Sequence, residues 1–193
     1  DLTVTVEAGM TLADLQAKLG VSGQWLPLDP PLPARATVGG VIAANVNGPH
    51  ASGYGRIRDL LIGMRAVADD GAVFKNGGRV VKNASGYDLC KLFVGSLGTL
   101  GIIVEASFKV SPLPTAMATV VAHHKAISDV ALVALMVASS LVPVAMEVFD
   151  PSVSVNLGWP AGHWTLAIRF AGQPAAVQRQ VREVMERQRE NGG

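Results

Sequence analysis

Backbone N–H groups reach a nucleotide's phosphates only where no Cβ holds the ligand away, so clusters of glycine and alanine are the first residues to weigh. Two stretches qualify. One is Ala36-Thr37-Val38-Gly39-Gly40-Val41-Ile42-Ala43-Ala44-Asn45 with Asn47-Gly48-Pro49-His50 behind it; the other is Gly95-Ser96-Leu97-Gly98-Thr99-Leu100-Gly101-Ile102-Ile103. A dinucleotide fingerprint reads Gly-x-Gly-x-x-Gly between a strand and a helix. Here Gly95, Gly98 and Gly101 stand three apart and a strand pattern follows, which disfavours Rossmann binding.

The remaining reactive side chains are few. His123 and His124 are adjacent on a strand pattern and point to opposite faces, so they cannot chelate one ion together. With His163 distant and no carboxylate at ligand spacing, no metal site is expected. His50 reads as a surface loop histidine. Cys90, the single cysteine, reads as a buried core thiol in a helix over residues 86–93. It also excludes an internal disulfide framework and an all-cysteine iron–sulfur site, and fits a reducing cytosolic setting.

These groups must be held by elements whose signals are readable. Alternation over residues 2–6 gives an opening strand, with no signal segment before it, so the chain reads as starting mid-fold. Thr11 and Asp14 have capping-box spacing, and Leu12, Leu15 and Leu19 recur on one helical face to about Gly20. Residues 26–56, rich in Gly, Pro, Ala and Asn, read as backbone available for contact. Residues 62–68 and 72–75 flank Asp69-Asp70-Gly71 as a hairpin. A strand over residues 102–110 stops at Pro112 and Pro114, where a domain boundary is placed. Beyond it, residues 116–122, 144–149 and 164–170 read as strands and 127–140 as a helix. Pro174 then opens a helix with Val177, Val181 and Met185 on one face. That order suggests an antiparallel sheet with helices on one side.

Composition narrows the classes. The chain has 193 residues, 49% hydrophobic and 16% charged, which describes a folded globular protein. A net charge of +1 with no basic stripe gives no reason to expect nucleic acid. The most apolar stretch, residues 130–148, is broken by Ser139, Ser140, Pro143 and Glu147 and falls short of an uncharged span of about 20 residues, so no transmembrane segment is expected.

The run Lys82-Asn83-Ala84-Ser85-Gly86-Tyr87-Asp88-Leu89, continuing through Lys91-Leu92-Phe93-Val94 into residues 95–103, resembles the FAD-domain motif of the vanillyl-alcohol-oxidase (PCMH-type) superfamily. Leu28-Asp29-Pro30-Pro31 followed by residues 36–45 resembles that family's other flavin-contacting stretch, in the right order. The D-lactate and glycolate dehydrogenase branch matches best. Within it, Gly77-Gly78-Arg79-Val80-Val81-Lys82-Asn83 and, more weakly, residues 142–150 are similar to the FAD-binding E subunit of bacterial glycolate oxidases.

The resemblance implies an α+β chain: residues 1–114 as a PCMH-type FAD-binding domain, and 115–193 as part of an α/β, ferredoxin-like FAD-linked-oxidase C-terminal domain. It places the family's pyrophosphate loop before Asp1, so the FAD site is expected to be incomplete within residues 1–193. Carried over by position, Thr37, Gly39, Gly40, Ala43, Ala44, Asn45 and Gly48 line the isoalloxazine and ribityl region, and Pro30 belongs to the same cofactor-binding set. Gly98, Gly101, Ile102 and Ile103 meet the adenosine half, with the Ile side chains free to pack inward while their amides face ligand. Lys82 and Tyr87 belong to the same carried-over set, and the alternative for Tyr87 and Asp88 is that they cap and pin the next helix.

The activity so implied is flavin-mediated oxidation of a small 2-hydroxyacid in a glycolate oxidase complex. Its partners would be a paralogous flavin subunit and an iron–sulfur subunit. Localisation would be cytoplasmic, with any membrane association passing through partners. Because no His or Arg cluster is poised to take a hydroxyl proton and hold a carboxylate, an assembly or electron-relay subunit is the competing expectation. A flavin reductase of peptidoglycan-precursor type shares the fold, but its substrate domain is not recognisable.

Overall fold

The computed structural model describes residues 2–78 and 88–190, the side chain of Glu190 excepted. Contacts divide the chain into two compact units, Asp1–Leu113 and Pro114–Gly193.

The first unit runs β1 (Thr3–Glu7), α1 (Leu12–Gly20), β2 (Gln24–Trp25), α2 (Val38–Ala44), α3 (Ala51–Tyr54), α4 (Ile57–Leu60), β3 (Leu61–Val67), β4 (Val73–Gly77), α5 (Leu89–Phe93), β5 (Ile102–Lys109) and β6 (Ser111–Pro112). Four strands form an antiparallel sheet in the order β1-β5-β3-β4, and β2 pairs with β6. The capping signal at Thr11 is realised: its hydroxyl accepts the Asp14 amide, and Leu12, Leu15 and Leu19 face the core. The hairpin turn is also as read, with Gly71 at φ +83° between β3 and β4. Met64, Ala66, Ala106 and Phe108 of the sheet pack against Leu12, Leu15, Val38, Ile42 and Ile57.

Residues 26–56, read only as backbone available for contact, also hold two short helices: Thr37 caps α2, and α3 follows it. β5 ends at Lys109, and the two-residue β6 carries the strand region to Pro112, where it stops as read; β6 pairs with β2, a position where a missing N–H is tolerated.

The second unit runs β7 (Ala116–His124), α6 (Ile127–Ser140), β8 (Ala145–Phe149), α7 (Pro151–Asn156), β9 (Trp164–Gly172) and α8 (Pro174–Glu190). The sheet is antiparallel in the order β7-β9-β8. Leu166, Ile168 and Phe170 of β9 meet Val130, Val133 and Val137 of α6 and Val177 and Val184 of α8. Two expectations are refined here. The helices are not all on one side, since Ser154 of α7 bonds Thr165, whose strand position faces away from Leu166. The stripe on α8 splits as well: Val177 and Val184 are buried while Met185 stays 48% exposed.

Candidate functional site

The glycine-rich α2 is held by its own first turn. Val38 N–H donates to Met10 O at 2.9 Å, Gly39 N–H to Ala8 O at 2.8 Å, Gly40 N–H to the Thr37 hydroxyl at 3.3 Å and Val41 N–H to Thr37 O at 2.9 Å. The amides a helix N-terminus would offer to a phosphate are therefore engaged within the protein. Gly39 serves this docking directly, because a Cβ there would lie 2.9 Å from the Ala8 Cβ. Gly40 differs: it is exposed, and a Cβ would meet only the Thr37 hydroxyl at 3.0 Å.

At its other end α2 closes in a Schellman motif, with Asn45 left-handed at φ 50°, Asn45 N–H on Ile42 O and Val46 N–H on Val41 O. The second glycine run docks onto this end. Gly95 N–H donates to Ile42 O at 3.0 Å and Leu97 N–H to Ala43 O at 2.8 Å. Two motifs about fifty residues apart in sequence thus form one surface. Half-buried Ala43 and exposed Gly40, Ala44, Asn45 and Gly98 contribute its small-residue part, and Gly98 (φ +80°) has open space where a Cβ would stand. Leu97 (75% exposed, φ +53°) and Ile102 (70% exposed) add an apolar shelf. The Ser96 hydroxyl is buried there without a hydrogen-bond partner among the described residues.

At the start of β5, Ile103 packs on the core while Ile102 faces out. Both pair with β3, whereas β1 joins β5 only from Glu105 onward, apart from the Ala8 N–H bond to Val104 O. The β1-side backbone of Ile102 and Ile103 is thus a short open sheet edge, able to hydrogen-bond a planar heterocycle. Gly101, at φ +140°, turns the chain into this strand against Val67 O, 2.5 Å from where its Cβ would be.

Asp29 ties the remaining loops together. Its carboxylate accepts the His50 N–H at 3.1 and 3.2 Å and lies 3.2 Å from His50 Nδ1. His50 is 5% exposed, with its ring edge-on to Trp25 and Tyr54, so it is a packed structural residue rather than the surface histidine expected. Pro30 is buried beside this clamp, and Gly48 lies so close to Asp29 that a Cβ has no room.

Lys82 and Tyr87 lie outside the described residues. Asp88 caps α5, accepting the Lys91 N–H at 3.3 Å and pairing with the Lys91 ammonium at 3.0 Å, in line with the capping alternative. Cys90 is 3% exposed, its thiol facing Asn76, and burial followed by the nearby Asp88 charge pushes it up to about 11. The thiolate, the reactive form, is then scarce below that value. Folded protein at pH 8 should show no reaction with Ellman's reagent over minutes, and one thiol after unfolding; rapid labelling of folded protein would contradict this. The raised value also means stability falls as pH rises from about 9 toward 11, since only the unfolded thiol releases its proton there.

In the second unit, His123 bonds the Thr165 hydroxyl at 2.9 Å, while His124 is buried on the opposite face of β7, where burial lowers its pKa. Arg169 donates to the Thr119 hydroxyl at 3.0 Å on the His123 face. Arg169 and His123 are separated by four strand positions, roughly 13 Å.

Residues 1–89 match the family model described as an FAD binding domain. That match assigns residues 1–89 to this family of FAD binding domains. It is 36% identical over 151 residues to the glycolate oxidase subunit GlcD of Bacillus subtilis (78% of this chain, 32% of that protein). It is 38% identical over 135 residues to the glycolate oxidase subunit GlcE of Escherichia coli (68% and 39%). Against a probable mitochondrial D-lactate dehydrogenase of Danio rerio, identity is 32% over 203 residues (100% and 40%). The chain thus spans between 32% and 40% of the length of these relatives. A solved alkyldihydroxyacetonephosphate synthase superposes with a TM-score of 0.82 at 23% identity, over 98% of this chain and 38% of that one, and shows the shared fold.

The residues present fit FAD. Open positions without large side chains (Gly40, Ala44, Gly98), an apolar shelf and an orphaned Ser96 hydroxyl are what a flat, polar-edged cofactor would cover.

Proposed function

We propose that the full-length protein is an FAD-dependent oxidoreductase acting on a small 2-hydroxyacid, as a flavin subunit of a glycolate oxidase-type complex that passes electrons to a partner subunit. The observation carrying this reading is the docking of residues 95–97 on the end of α2, which joins both glycine motifs into one surface. When bound, the flavin would supply the acceptor for a hydride equivalent from the substrate's α-carbon. The chain's own residues would bind and orient it. Gly40, Ala43 and Ala44 would leave room for the ring system, Ile102 and Ile103 would offer backbone to the adenine edge, and Leu97 would exclude water.

Full-length protein should carry a flavin absorption spectrum. Gly40→Val should remove it, weakening flavin at least about tenfold, while circular dichroism and melting stay close to wild type, because position 40 is exposed and a Cβ there meets only the Thr37 hydroxyl. A colourless wild type, or a Gly40→Val protein that keeps its flavin, would sink the reading.

One observation favours a second reading, a relay or assembly subunit whose paralogous partner does the chemistry. Arg169 and His123 are each engaged by a threonine and stand apart, so these two form no joint site for a carboxylate and a hydroxyl proton. Turnover of glycolate with an artificial acceptor by the isolated full-length subunit supports the first reading. Turnover only with the partner supports the second.

A further inference from the structure

Two fully buried hydroxyls in the second unit form a chain that ends on a histidine. Ser154 of α7 and Thr165 of β9 are both 0% exposed, and their oxygens lie 2.9 Å apart. The Thr165 oxygen also lies 2.9 Å from His123 Nδ1. His123 and Phe149 stand opposite Thr165 on its two sides, so the three share one row and one face of the sheet. Trp159, just past α7, packs on both ends of this row, its ring 6.0 Å from that of His123 and 5.3 Å from that of Phe149.

Proton counting fixes the histidine's tautomer. Three groups joined by two hydrogen bonds need two protons, one for each bond. With the imidazole proton on Nε2, Ser154 donates to Thr165 and Thr165 donates to Nδ1, so both hydroxyl protons are used. A proton on Nδ1 makes three for two bonds. One proton is then left over where no solvent reaches, and neither hydroxyl has a side-chain partner beyond this chain among the described residues. An unmet buried donor disfavours that form by about tenfold or more. The bond made at one ring nitrogen thus places the proton on the other.

The free edge of His123 is therefore a donor. Its Nε2 is not buried and has no hydrogen-bond partner among the described residues. The side chains around it supply no acceptor: Trp159 carries only an N–H, and Val121 and Ala167 in the next row of the same face are apolar. Glu147 of that row lies on β8, about 10 Å from β7 across β9. An N–H in this setting recognises an oxygen and has no lone pair with which to remove a proton.

We infer that His123 Nε2–H is a substrate contact, donating to a carboxylate oxygen of the 2-hydroxyacid, and that Thr165 and Ser154 are positioning residues that keep it a donor. On the substrate class proposed above, on which this assignment rests, His123 contributes affinity and another group takes the hydroxyl proton.

Nitrogen NMR of full-length protein labelled at histidine tests this, with His123→Phe identifying the signal. At pH 8 the His123 ring should carry its proton on Nε2, and oxalate, which offers the carboxylate without an oxidisable carbon, should shift that N–H. Thr165→Val should release the tautomer preference and Thr165→Ser should restore it. In turnover, His123→Phe should raise KM for glycolate about tenfold or more, with kcat falling much less. Loss of a base would instead lower kcat about a hundredfold or more. A proton on Nδ1, or a loss confined to kcat, would overturn the inference. So would an Nε2–H that ignores oxalate in a protein that oxidises glycolate, which leaves the flavin reading intact. An oxalate response without glycolate turnover supports the donor and sinks the oxidation reading instead.

Discussion

Gly48→Ala is expected to lower the melting temperature of the first unit by roughly 10–24 °C. A Cβ at this position would stand 2.6 Å from the Asp29 carboxyl carbon and nearer still to the Asp29 carbonyl oxygen. Neither can retreat cheaply. The carboxylate is held by the His50 N–H at 3.1 and 3.2 Å, and the loop beside Gly48 is pinned by Asn47, which donates to Asn45 O at 2.9 Å and accepts the Ile57 N–H at 2.8 Å. Overpacking costs about 1–3 kcal/mol, and breaking hydrogen bonds to a charged acceptor adds about 1.5–3 kcal/mol. At about 4 °C per kcal/mol for a unit of this size, the sum gives the stated shift. Flavin retention should fall with it, because the same loop continues from the end of α2. Thermal melting of the variant beside Gly40→Val checks the point: a Gly48→Ala protein melting within 2 °C of wild type would mean the clamp at Asp29 yields freely.

That contrast marks where the sequence could and could not be read. Thr11 with Asp14, and Asp69-Asp70-Gly71, are local signals whose physics is complete within four residues, and both elements formed as read. α2 was missed because two glycines inside a seven-residue helix cost about 1 kcal/mol each in propensity. What outweighs them is tertiary: Gly39 lets α2 sit on Ala8, a contact thirty residues back in the chain. α7 was legible and overlooked, since Asp150-Pro151 is an N-cap followed by proline at the first helical position. His50 looked like a surface histidine because nothing local announces the carboxylate at Asp29 or the rings of Trp25 and Tyr54.

The candidate site divides the same way. Its residues were found by motif, but the bonds that assemble it, Gly95 to Ile42 and Leu97 to Ala43, are non-local and have no sequence signature. The motif also could not tell a glycine needed for packing, Gly39, from one left open, Gly40. On α8 the spacing of Val177, Val181 and Met185 suggested a single buried face. The structure buries Val177 and leaves Met185 half exposed beside an open strand edge.

β5 carries core and candidate site on one strand, and two substitutions six residues apart should separate them. Phe108 is 1% exposed and stands opposite Val4 of β1 and Leu61 of β3, in the middle of the sheet. Phe108→Ala should cost about 3–5 kcal/mol, the range for emptying an aromatic site that neighbours cannot fill by collapse. Urea unfolding should show a lower midpoint with an unchanged slope. Ile102 is 70% exposed, so Ile102→Ala should leave stability within about 0.5 kcal/mol. Its effect belongs to binding: on the proposed flavin reading, removing this shelf residue should weaken FAD roughly fivefold to thirtyfold, the equivalent of about 1–2 kcal/mol of apolar contact. If Ile102→Ala destabilises the fold as much as Phe108→Ala, the start of β5 is core and the shelf is misplaced. If it changes neither stability nor flavin affinity, the adenosine half of the cofactor lies elsewhere on the domain.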